Sequence, residues 1–154
     1  MEEKAFDELK LIMLYKDIIA QLPYTKPFLF VDSLLLVTED RAEGEYQFKE
    51  DEYFYQGHFK GNPVTPGVIL TECMAQIGLV CLGIQLIDGL SENSKIALVS
   101  SEVHFYLPVY PGEKIKVISE KEYFRFSKLK CQVKMLNEEG AVVCKGTISG
   151  MIAN

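Results

Sequence analysis

The sequence is most easily read from what it withholds. Its four cysteines, Cys73, Cys81, Cys131 and Cys144, show neither a CxxC pair nor metal-type spacing, so buried free thiols are expected instead of a disulfide or zinc framework. Lysine and arginine number 16 against 22 acids, a net charge of −6, and the clustered basic surface that a nucleic-acid binder needs to neutralise phosphates is missing. No small-residue cleavage site follows the mixed-charge start MEEKAFDELK, so it does not read as a signal peptide and the cytoplasm is the expected location. Repeats, low-complexity tracts and linkers are absent, so residues 1–154 read as one domain. Histidine occurs only twice, as His58 and His104.

Apolar residues are plentiful, at 48% of the chain, enough for one sizeable core. The longest apolar segment, Pro66 to Gly89, approaches bilayer length. Glu72, Gln76 and Gln85 would be costly in lipid and basic anchors are missing from both flanks, so it reads as a helix enclosed by other elements, residues 66–88. Thr65 is expected as its N-cap, with Pro66 at the first helical position. A shorter helix is expected within residues 1–21, with Phe6, Leu9, Ile12, Met13, Tyr15 and Ile19 at helical spacing. Six strand candidates are marked: PFLFVDSLLLVTED, rich in β-formers, and its partner AEGEYQF before the long helix, and by period-two patterning KIALVSSEVHFYLPV, EKIKVISEKEYF, KLKCQVKMLN and AVVCKGTISGMI after it. The expected fold is α+β, an antiparallel sheet wrapped around one helix.

His58 lies in a loop punctuated by Gly57, Gly61 and Pro63, and long loops of this kind are often functional. Glu72 follows five to six residues into the helix, about 8 to 9 Å along its axis. Apolar neighbours Leu70, Cys73 and Ala75 should desolvate its carboxyl and raise its pKa, while neutral His58 is a natural base. The backbone N–H groups of Gly67 and Val68, free at the helix start, would polarise a carbonyl oxygen. Base, acid and oxyanion donors together suit loss of water from a β-hydroxyacyl compound. Taken singly, His58 could simply bond the backbone, and Glu72 could pair with a lysine or another chain. His104 reads as a surface residue, and Cys73, about 100° round the helix from Glu72, as core.

Three blocks, LPYTKPFLFVD, GHFKGNPVTPGVILTECMAQ and FYLPVYPGE, together resemble the hot-dog-fold 3-hydroxyacyl-[acyl carrier protein] dehydratases of fatty acid biosynthesis, of the FabZ type. The resemblance covers most of the chain from Leu22 onward. It implies a lyase that turns 3-hydroxyacyl into trans-2-enoyl thioesters without metal or organic cofactor. His58 would take the α-proton, Glu72 would help the hydroxyl leave, and Gly67 would polarise the thioester. It further implies a homodimer, possibly a trimer of dimers, in which histidine and carboxylate come from different subunits. The substrate would arrive on the phosphopantetheine of an acyl carrier protein, its chain in an apolar tunnel shaped by Phe54, Phe59, Leu79 and Leu82. Lys60 stands where the family usually has proline, and PYTKP replaces a more basic and aromatic run. An acidic carrier would need a local basic patch, for which Lys26, Lys60, Arg125, Lys128 and Lys130 are candidates. A hot-dog thioesterase and a non-catalytic acyl-binding protein are the alternatives.

Overall fold

A computed structural model describes residues 2–154. Helix α1 (Glu2–Gln21) leads into β1 (Ser33–Val37) and β2 (Arg41–Gln47). The central helix, Gly67–Leu86, consists of α2 (Gly67–Ala75), a π-helical turn (Gln76–Val80) and α3 (Cys81–Leu86). Four long strands follow: β3 (Lys95–Phe105), β4 (Lys114–Arg125), β5 (Lys128–Leu136) and β6 (Val142–Ala153). All six form one antiparallel sheet in the order β1-β2-β4-β5-β6-β3.

The sheet folds around the central helix, which is why that helix can be apolar on nearly every side while strands such as β5 alternate between buried and open positions. Met74, Ile77, Leu82 and Ile84 from the helix meet Ile115, Leu129, Met135, Ile148 and Ile152 from the sheet, all at most 1% exposed. Burying one such side chain contributes about 1.5–3 kcal/mol. The Ser119 hydroxyl of β4 donates to the Gly78 carbonyl in the π-helical turn at 2.8 Å, pinning the helix to the sheet. Among the described residues, the one helix long and apolar enough to cross a membrane is thus mostly buried inside the protein.

Three local expectations are corrected. Pro66, not Thr65, caps the helix: its carbonyl accepts from Ile69 and Leu70, while the Thr65 hydroxyl is taken up by Tyr55 Oη at 2.6 Å. The first strand starts at Ser33, because Phe28–Phe30 spends its backbone bonds on the helix side chain Gln76. In α1 the packed face is Tyr15 and Ile18, continued by Leu22, whereas Phe6, Leu9, Ile12 and Met13 are exposed. The helix meets the body at β1 and α3 through its C-terminal part only, where the predicted Tyr15 and Ile19 do pack, whereas residues 2–14 are exposed on every face.

All four cysteines are buried and unpaired, and burial pushes each thiol upward, Cys131 to about 11 and Cys144 to about 12. Thiolate is the reactive form. A disulfide-exchange reagent at neutral pH should therefore find essentially no reactive thiol in the native protein and four after denaturation; fast native labelling would contradict this packing.

Candidate active site

The loop carrying His58 is held at both ends. A 3-10 turn, Tyr53–Gln56, buries Phe54 and Tyr55, and the Thr65 N–H donates to the Val109 carbonyl at 2.9 Å. Between these anchors the His58 N–H donates to Phe54, Val64 N–H donates to the His58 carbonyl, and Phe59 and Asn62 exchange two backbone bonds of 2.9 Å. Gly61 sits in that tight turn at φ +71°, a conformation glycine adopts without steric cost.

His58 Nδ1 lies 2.8 Å from the Val64 carbonyl oxygen. A carbonyl can only accept, so Nδ1 carries the proton of the neutral ring and Nε2 presents its lone pair. The ring is half-buried and stacks on Phe59 with centroids 4.0 Å apart. Backbone and stacking thus fix both the tautomer and the direction of a base.

At the helix start, Pro66 has no N–H and Ile69 already donates to the Pro66 carbonyl. Gly67 and Val68 therefore keep free amides. At Gly67 a Cβ would stand 3.2 Å from the ring of the half-exposed Phe105, which would have to give way by a few tenths of an ångström. The two residues open onto a groove of ≈ 540 Å³ between α2 and β3, lined further by Thr71, Glu72, Ala75, Leu98 and Phe105. Carboxyl and amide donors share one mostly apolar groove. In the single chain Glu72 is half-buried, so the full burial read from the sequence needs further cover.

Gln76, on which the sequence reading placed no role, holds this carboxyl. Its side chain is 0% exposed. Nε2 donates to Glu72 Oε1 at 3.0 Å and to the Phe28 carbonyl at 3.0 Å, and Oε1 accepts from Phe30 N–H at 2.8 Å. The only sequence signal was a lone amide one turn after the acid in an apolar helix. Tyr24 was also missed. Burial first, and the charge of Glu72 second, push its phenol up to about 12, so it stays a proton donor throughout the physiological range. Tyr46 and Tyr55 are raised too, mainly by burial. An unfolded chain loses these protons near pH 10 while the folded one keeps them, so stability should fall as pH rises from about 10 towards 12. Thermal unfolding followed across that range tests this; a flat profile would contradict it.

His58 does not line the groove that holds Glu72. One chain brings Glu72, Gly67 and Val68 together and leaves His58 outside their groove. Of the residues expected to shape a tunnel, Phe54, Leu79 and Leu82 are buried in the core and only Phe59 is exposed. His104 is exposed beside Glu102, at 3.6 Å. The three sequence blocks meet here: Gln76 ties Phe28 and Phe30 to the helix, and Val109 anchors Thr65.

A six-stranded antiparallel sheet around one helix, with a histidine loop at the helix start and a carboxyl in its second turn, defines a hot-dog protein of the dehydratase type. The chain belongs to the FabA-like domain family, whose model matches residues 22–150. It is similar to a 3-hydroxyacyl-[acyl-carrier-protein] dehydratase FabZ of Roseiflexus castenholzii, 35% identical over 86% of this chain and 92% of that one. The FabZ of Rhizobium rhizogenes is 33% identical, over 88% and 85%. Among solved structures, the dehydratase heterocomplex ApeI:P from Xenorhabdus doucetiae superposes with a TM-score of 0.73 at 13% identity, covering 88% of this chain and 91% of that one. A thioesterase from Haemophilus influenzae reaches 0.58 at 16% identity, covering 79% and 78%. The last two establish likeness of fold alone.

Proposed function

We propose that the protein is a dehydratase converting 3-hydroxyacyl thioesters on an acyl carrier protein to trans-2-enoyl thioesters, in fatty acid or related acyl-chain biosynthesis. The observation that carries this reading is the shared groove of Glu72 with the free amides of Gly67 and Val68. A thioester carbonyl accepting from those amides is polarised, and negative charge developing on its oxygen is met by the positive end of the helix. His58 Nε2 takes the α-proton, and the C–H electrons pass onto the thioester oxygen as an enolate held by those amides, then return to form the C=C bond. The C–O bond breaks as Glu72 gives its proton to the departing hydroxyl, which leaves as water. Return of the proton from the imidazolium to Glu72 resets the pair.

The histidine and the carboxyl of each site are assigned to two chains. Along β3 the free sheet edge is eleven residues long, with Leu98, Val99 and Phe105 exposed beside Val68, which is 77% exposed. Long apolar edges are normally covered. A second copy laid edge to edge would cover this one, close the groove over Glu72, and bring the partner's His58 loop to it. The proteins named FabZ support the same reaction.

Incubating the purified chain with a 3-hydroxyacyl carrier protein should give enoyl product and retain the thioester. Release of free thiol would establish a thioesterase instead, and tight binding without turnover a non-catalytic acyl-binding protein.

A further inference from the structure

We propose that Lys60 recognises the phosphodiester at the far end of the substrate's pantetheine arm. The assignment rests on the dehydratase reading above. Between Lys49 and Lys95 the sequence holds one lysine or arginine, Lys60, against Glu50, Asp51, Glu52, Glu72, Asp88 and Glu92. This span contains the 3-10 turn, the His58 loop and the whole central helix. An anionic arm entering a chain of net charge −6 meets repulsion unless a cation stands at the mouth of the site.

Lys60 is placed for that. It lies two residues from His58, at most about 7 Å of backbone, at the exposed tip of the turn closed by Phe59 and Asn62. It makes no ion pair among the described residues, so its ammonium is free to meet an anion. The Lys60 and Gly61 N–H groups at the same tip donate to no backbone carbonyl, so further donors face the same space.

The test compares kcat/KM for 3-hydroxyacyl thioesters of 4′-phosphopantetheine and of unphosphorylated pantetheine. The wild type should favour the phosphorylated form about 3- to 10-fold, K60Q should bring that ratio close to one, and K60R should restore it. Added salt should erode the preference. A ratio unchanged in K60Q, or no preference in the wild type, would overturn the assignment. K60Q should also raise KM for coenzyme A-borne and carrier-borne substrate alike, since both carry a phosphate at the 4′ end of the arm, as a diester on the carrier and as a diphosphate in coenzyme A. An effect on the carrier alone would give Lys60 to the carrier's protein surface and overturn it. If the wild type dehydrates neither thioester, the dehydratase reading has failed. Calorimetric titration of H58A with 4′-phosphopantetheine against pantetheine then reads Lys60 separately, with tighter phosphate binding expected and equal binding contradicting it.

Discussion

His58→Ala is expected to lower kcat for dehydration about 10²- to 10⁴-fold, the range that a positioned acid or base supplies, and Glu72→Gln to do the same. Neither should disturb folding. His58 Nδ1 bonds one carbonyl of its own loop, and the loop's backbone bonds persist without the ring. Glutamine at 72 keeps an oxygen to accept from Gln76. The two losses should differ in substrate exchange. A chain lacking the base cannot lift the α-proton, whereas Glu72→Gln can still do so and fails at departure of the hydroxyl. With a solvent-deuterium readout, exchange at the α-carbon should survive Glu72→Gln better than His58→Ala. Turnover within a few-fold of wild type in either variant would remove that residue from the chemistry.

Gln76→Leu is expected to damage stability and activity together. It leaves the Phe30 N–H without its 2.8 Å acceptor and the Phe28 carbonyl without its 3.0 Å donor. The buried Phe30 N–H left unsatisfied costs about 1–3 kcal/mol, while the carbonyl of the exposed Phe28 can turn to water. In a chain of this size that cost corresponds to a fall in Tm of about 2–12 °C. The same change frees Glu72 from its donor, and a carboxyl free to swing should cost about tenfold or more in kcat. Gln76→Glu separates the two roles. It keeps an acceptor for Phe30, loses the donor to Phe28, and sets a second acid beside Glu72, so its kcat should depend on pH differently from the wild type's. If Gln76→Leu keeps both its Tm and its kcat, Gln76 is only a space-filler.

Much of this was legible in the sequence because each signal was local. Period-two alternation marked β4, β5 and β6, and an almost uninterrupted apolar run marked the central helix. His58, Gly67 and Glu72 stood out as chemistry-bearing residues in one short span. What escaped depended on distant partners. Gln76 bonds residues 46 and 48 positions away, so nothing beside it announced its role. Thr65 looked like a cap because its neighbours fit one; Tyr55, ten positions earlier, had taken its hydroxyl. In α1 the stripe from Phe6 to Met13 was visible, but periodicity does not say how much of a helix meets the body, and residues 2–14 are exposed on every face. Glu72 appeared more buried in sequence than it is in one chain, since its apolar neighbours face the core while it faces the groove. Whether a second copy covers that groove is the point on which the account turns.

Co-refolding His58→Ala and Glu72→Gln chains in equal amounts tests it most directly. If each site takes its imidazole from one chain and its carboxyl from the other, every hybrid dimer contains one intact site and one doubly altered one. Random pairing then returns about a quarter of wild-type activity from two nearly inactive parents. Activity no greater than the sum of the parents, in a mixture verified to contain hybrid dimers, would place both groups of each site in a single chain and contradict the account.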